Sequence, residues 1–223
     1  HFGGRHTVEV FDVDGAHLAH RTTVESEAMV SPNDLVGTGA NSFYVTNDHA
    51  YEAGMMRTIE DLGRLRVSTV LHFDGEGWKT VMQGVGGANG INLSADGRSL
   101  YVSAMSERAV RVLDRDPQTN DVTPRSVVDV PGYADNIDVE ANGDLLLAVH
   151  TKVFAFLAHA ADEGKMSPSH LLRLRADGKG GFSPQTFHYS DGSDISAASV
   201  AAAAPGRVLV GAVFDRKILD CAL

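Results

Sequence analysis

Residues 133–150 read YADNIDVEANGDLLLAVH. Two alternating runs, Asn136 to Val139 and Asp144 to Val149, flank Asn142-Gly143. An Asn-Gly pair supplies the positive-φ residues of a tight hairpin turn, so the stretch reads as a β-hairpin. Its head is unusual. Asp135 and Asn136 place a carboxylate and an amide together at the mouth of a strand that must be half buried.

Three other segments share the form of a small polar start, an apolar strand, a Gly-containing turn and a second strand. They are NDLVGTGANSFYVTND (33–48), ANGINLSADGRSLYVSA (88–104) and ASVAAAAPGRVLVGAVF (198–214). Asn33, Asn89 and Asn136 are 56 and 47 residues apart, near the roughly 40–50 residue period of a propeller blade. Further strands are read at His6 to Asp14, Ser68 to Phe73, Ala109 to Asp114 and Leu171 to Leu174. Helical signals are few: 51–62 and 156–165 each read as a short helix or a long loop. The expected fold is an all-β propeller with about four blades present, as a single domain over 1–223.

Composition narrows the partners. The chain has 223 residues and a formal net charge of −10. An acidic balance argues against nucleic acid and anionic membrane as main partners. No apolar run of 18 residues occurs, so no transmembrane helix is expected. The single cysteine, Cys221, is a free thiol or half of a bond whose partner lies elsewhere.

In a propeller the first strand of each blade lines the central channel. Asn33, Asn89, Asp135 and Asn136 all stand just before such a strand, so their oxygens converge. Amide and carboxylate oxygens suit a hard cation, and calcium takes six to eight of them in irregular geometry. Zinc would need Cys or His at short spacing, which is absent. Asn and Asp before strands also serve simply to satisfy turn backbone. With one carboxylate among these four residues, calcium binding should be weak. No G-x-S-x-G marks a serine nucleophile. Asn92-Leu93-Ser94 is a glycosylation sequon, but it falls in an inner strand. His49, within Asn47-Asp48-His49, and His150 each read as a site residue or as ordinary turn or core histidine.

These motifs, NDLVGTGANSFYVTNDH, ANGINLSADGRSLYVS, ADNIDV…GDLLLAVH and GRVLVGAVFDRKILDC, closely resemble the paraoxonases. The likeness covers essentially the whole chain but only the C-terminal two-thirds of that family. It implies a six-bladed propeller and calcium-dependent hydrolysis of aryl esters and lactones, with two calcium ions. The catalytic ion would fall to Asn33, Asn89, Asp135 and Asn136, and Asp34 would help hold a structural ion. Asp48 and His49 match an NDH run near the family's site, and His1 matches a histidine supporting the general base. The base itself, a Glu-Asp pair completing both ion sites and the disulfide partner of Cys221 would lie upstream, in a missing N-terminal blade region. The resemblance further implies a secreted protein acting on a small ester or lactone. Gluconolactonase-type propellers share the N-G-[LI] motif but usually carry Asp-Gly where this chain has Asp135-Asn136. A sugar lactonase, or a non-catalytic binding propeller, are the competing readings.

Overall fold

The computed structural model describes residues 5–222; His1 lies outside them. A hairpin of β1 (Thr7–Asp14) and β2 (His17–Glu25) precedes the blades. The first blade is β3 (Pro32–Gly39), β4 (Ser42–Asn47), β5 (Ser68–Phe73) and β6 (Trp78–Val85). The second is β7 (Ala88–Leu93), β8 (Ser99–Ala104), β9 (Ala109–Arg115) and β10 (Val122–Asp129). The third is β11 (Tyr133–Val139), β12 (Leu145–His150), β13 (Ser169–Ala176) and β14 (Phe182–Ser190). The fourth has three strands, β15 (Ala198–Ala204), β16 (Arg207–Ala212) and β17 (Leu219–Ala222). All pairings are antiparallel. The first strands β3, β7, β11 and β15 touch one another in sequence, so they are the innermost. This is the all-β propeller with four blades that the repeat implies.

Period-two alternation explains the run LLLAV in β12. Leu145, Leu147 and Val149 face the second blade, in a core with Val110, Val112 and Ile137. Leu146 and Ala148 face the fourth, in a core with Ala201, Val208 and Val210. A strand buried on both faces needs an unbroken apolar run rather than an apolar–polar alternation. Close blade contact also dictates Gly90. A Cβ there would lie 2.6 Å from the Asp135 carbonyl oxygen and 2.7 Å from Asn136 Cα. No side chain fits where β7 and β11 backbones approach this closely.

Two local readings need correction. In the 140–144 turn only Gly143 has positive φ (88°). Asn142 contributes its side chain instead, Oδ1 accepting from Asp144 N at 3.0 Å. The helices are α1 (Gly54–Gly63) and α2 (Val153–Ala161). Neither has a side-chain N-cap hydrogen bond, so the usual start signal is missing from the sequence. Each helix joins the second strand of its blade to the third. Both therefore lie at the end of the propeller where the inner strands begin. Cys221 is free and half buried on the edge strand β17. The expected disulfide is not formed within this chain, which has one cysteine.

Candidate metal centre

Every inner strand carries the same irregularity at its head. The β3 register skips between Pro32 and Leu35, and β7 between Ala88 and Ile91. The β11 register skips between Ala134 and Ile137, and β15 between Ala198 and Val200. Each is a one-residue β-bulge, which unpairs residues and re-aims their side chains. The bulged residues are Asn33 and Asp34, then Asn89 and Gly90, then Asp135 and Asn136, then Ser199. This is why a carboxylate and an amide stand side by side at a strand head: the bulge frees both from ladder geometry.

Contacts between blades bring these heads together. Asp34 Oδ2 accepts from Ile91 N at 2.9 Å, and Thr46 Oγ1 donates to the Asn89 carbonyl at 2.7 Å. Ser103 Oγ donates to the Asp135 carbonyl at 2.5 Å. Asn92 Nδ2 donates to the Ile137 carbonyl at 3.0 Å, so the sequon amide pins β7 to β11. Asn136 Nδ2 donates to the Ser199 carbonyl at 3.0 Å.

The three asparagines share one orientation. Asn33 Nδ2 donates to Asp48 Oδ2 at 3.1 Å, Asn136 Nδ2 to Ser199, and Asn89 Nδ2 faces Met105 Sδ at 3.8 Å. None of the three Oδ1 atoms accepts a hydrogen bond from the described residues. Asn89 Oδ1 is fully buried in that state. An orphaned buried acceptor costs about 1–3 kcal/mol, and a cation would satisfy it. Burial raises the Asp34 carboxyl above its ordinary range; backbone N–H bonds from Ile91 and Leu35 oppose this, and the nearby Asp135 charge adds to it. Two acids that repel each other beside three amide oxygens fit a hard divalent ion. Among the described residues no group of three or more His, Cys, Asp or Glu is arranged to hold a metal, so the donor set depends on the amides.

The histidines differ sharply. His49 Nδ1 meets Asp48 Oδ1 at 2.7 Å and Nε2 meets Asp61 Oδ1 at 2.9 Å. Burial pulls its pKa down, but the Asp48 hydrogen bond and charge outweigh this and the net direction is up. A ring facing carboxylates from both nitrogens is best satisfied as an imidazolium. Burial pushes the Asp48 carboxyl up, but bonds from His49, Ser31 and Asn33 prevail and hold it low. The chain Asp61–His49–Asp48–Asn33 thus connects α1 to the ring. His150 Nε2 instead meets Asp135 Oδ2 at 3.1 Å, and its buried Nδ1 has no partner among the described residues. Its ring packs on Phe156 of α2 at 4.5 Å. Sequence reasoning placed His150 at the strand end without its partner, because only the β11–β12 register sets His150 beside Asp135. Ser199, Thr46 and Asp61 were not singled out either; no motif marks them.

The whole chain, residues 1–223, matches the family profile described as Arylesterase. The chain belongs to the arylesterase family. It is 29% identical over 220 residues to serum paraoxonase/arylesterase 2 of Rattus norvegicus, an alignment covering 96% of this chain and 60% of that protein. It is also 29% identical over 220 residues to human serum paraoxonase/lactonase 3, covering 97% and 61%. This family member therefore spans about 60% of the length of the curated relatives it matches. Among solved structures it is similar to a luciferin-regenerating enzyme, with TM-score 0.60 and 14% identity over 98% of this chain and 70% of that one. A gluconolactonase from Xanthomonas campestris gives TM-score 0.57 and 17% identity, over 92% and 61%. At these identities the likeness is one of fold.

Proposed function

We propose that the protein hydrolyses aryl esters and lactones at a calcium ion held by Asn33, Asn89, Asp135 and Asn136, with Asp34 serving a second, structural ion. The observation that carries this reading is the shared orientation of three asparagines that commit Nδ2 to the protein and keep Oδ1 clear of it. A bound calcium ion would act as a Lewis acid toward the substrate carbonyl.

The chain's own residues prepare that chemistry. His150 holds the Asp135 carboxylate in place, and the Ser199 carbonyl fixes the Asn136 amide. Asp48 orients Asn33 and binds the His49 ring, which stores a proton between Asp48 and Asp61. Asp48 and His49 would thus set the position of Asn33 and relay a proton. His1 would support the general base, as the family resemblance implies. Four side-chain donors fall short of six to eight oxygens. Water, or the Glu-Asp pair the resemblance implies, would supply the rest. A small ester or lactone substrate, and an extracellular setting, follow from the same resemblance.

The test is hydrolysis of phenyl acetate and δ-valerolactone by the natural protein. Activity abolished by EDTA and restored by Ca²⁺ is expected. EDTA-insensitive hydrolysis would overturn the metal mechanism, and no hydrolysis of either substrate would overturn the function.

A further inference from the structure

At the same end of the propeller, two arginines share one tyrosine. The Arg64 guanidinium lies 5.9 Å from the Tyr133 ring centroid and donates to its hydroxyl at 3.1 Å. The Arg108 guanidinium lies 5.4 Å from the same centroid. Both arginine side chains reach solvent. Tyr133 opens β11, two residues before Asp135, and pairs with His150. Arg108 ends the short 3-10 turn Met105–Glu107, whose Met105 sulfur faces Asn89. Arg64 of the first blade and Arg108 of the second thus meet at Tyr133 of the third, near the strand heads that carry the proposed ion ligands.

Their charge is unmatched. Nearby Arg57 pairs with Asp61, and Arg66 and Arg111 both pair with Glu107. Among the described residues, Arg64 and Arg108 have no carboxylate partner, in a chain with 29 acids against 19 Lys and Arg. Two cations on one ring also repel each other, which an anion between them would relieve. The backbone adds a second observation. Arg64 and Arg108 both adopt left-handed conformation, with φ of 48° and 56°, at caps where Gly or Asn is the relaxed choice. Strain of this kind persists where the surroundings or the function over-determine the residue. Here both strained positions present guanidinium groups to the same spot.

We infer that Arg64, Arg108 and Tyr133 form a carboxylate-binding subsite at the mouth of the site, selecting esters or lactones that carry a second, anionic group. Guanidinium forks suit carboxylates, and the Tyr133 hydroxyl, which receives the Arg64 bond, can donate its own proton to the same ligand. The inference rests on the hydrolase reading for its substrate, but its binding step stands apart from turnover.

Two arms separate the possibilities. In the first, benzoate and its neutral isostere benzamide are titrated into the natural protein, followed by nuclear magnetic resonance. Benzoate should bind about ten-fold more tightly at low salt, with the preference shrinking as ionic strength rises. The preference should vanish in R64N/R108N, where Asn suits the left-handed backbone, and largely persist in R64K/R108K. Equal binding of the two probes by the wild-type protein would overturn the subsite, whether or not the variants fold, and so would an unchanged preference in R64N/R108N. In the second arm, kcat/KM for monophenyl glutarate is divided by that for phenyl acetate. The ratio should fall about ten-fold in R64N/R108N; a constant ratio would overturn the inference. Failure to hydrolyse either ester, with benzoate still preferred, would count against the proposed function and leave the subsite supported.

Discussion

The third and fourth blades share one backbone device and differ in what they place on it. Both inner strands bulge by one residue at the same point. In the third blade the bulge presents Asp135 and Asn136. In the fourth it presents Ser199, whose carbonyl rather than its side chain serves the ring by fixing Asn136. The bulge is thus a property of the propeller, present with or without ligands. Function lies in the residue types set upon it. The cores differ in parallel: the third blade fills both faces with leucines, while β15 is nearly all alanine. The blade with the larger buried side chains is the one that carries Asp135, and a rigid element would hold the proposed ligand more accurately.

The largest stability effect should come from that packing. Leu147 is fully buried between the second and third blades, and Leu147→Ala should cost about 2–5 kcal/mol in urea unfolding. In the fourth blade Leu209 is 38% exposed, and Leu209→Ala should cost about 1 kcal/mol or less. Similar losses would mean that the two blades contribute equally to the core.

Gly90→Ala comes next. The added methyl meets backbone of β11 rather than a movable side chain, so the strands must separate. About 1–3 kcal/mol is expected, together with weaker calcium binding. At Gly211 the nearest atom is a Val200 side-chain methyl at 2.9 Å, so one side chain rather than a strand backbone must give, and Gly211→Ala should be milder. A harmless Gly90→Ala would show that β7 and β11 need not touch for the ring to form.

The histidine chain predicts a pH window. His49 has a raised pKa, so its stabilisation is complete below its ordinary value of 6.5 and lost as pH rises through the folded value. Asp48 has a lowered pKa, so its stabilisation is complete above 3.8 and lost as pH falls through its folded value. Their joint contribution should peak between these limits. In His49→Gln, melting temperature should lose the decline on the alkaline side. An unchanged pH profile would place the proton elsewhere. The smallest effect is expected at Ser199→Ala: stability within about 0.5 kcal/mol and calcium affinity unchanged, since only the backbone oxygen is used. A strong loss there would make the fourth blade a ligand blade after all.

Much of this was legible because residue type and position coincide. The Gly-containing turns and the spaced strand heads at Asn33, Asn89 and Asn136 revealed the blades, but the run at Leu145 to Val149 reads as alternating, whereas neighbouring blades bury it on both faces. The bulges were not legible, because a one-residue skip is set by the neighbouring strand, as Gly90 against Asp135 shows. The helix limits were obscured by the missing capping side chains. The Asp135–His150 contact depends on register across a hairpin. Arg64 and Arg108 escaped notice because left-handed caps are normally read from Gly or Asn, and arginine there gives no signal.

Calcium titration by calorimetry, comparing the natural protein with Asp135→Ala and Ser199→Ala, bears most directly on the metal centre. Binding is expected in the natural protein and in Ser199→Ala, and at least about ten-fold weaker in Asp135→Ala, since fewer carboxylates mean lower affinity. Calcium binding that is equal in all three proteins would contradict the assignment of the ring.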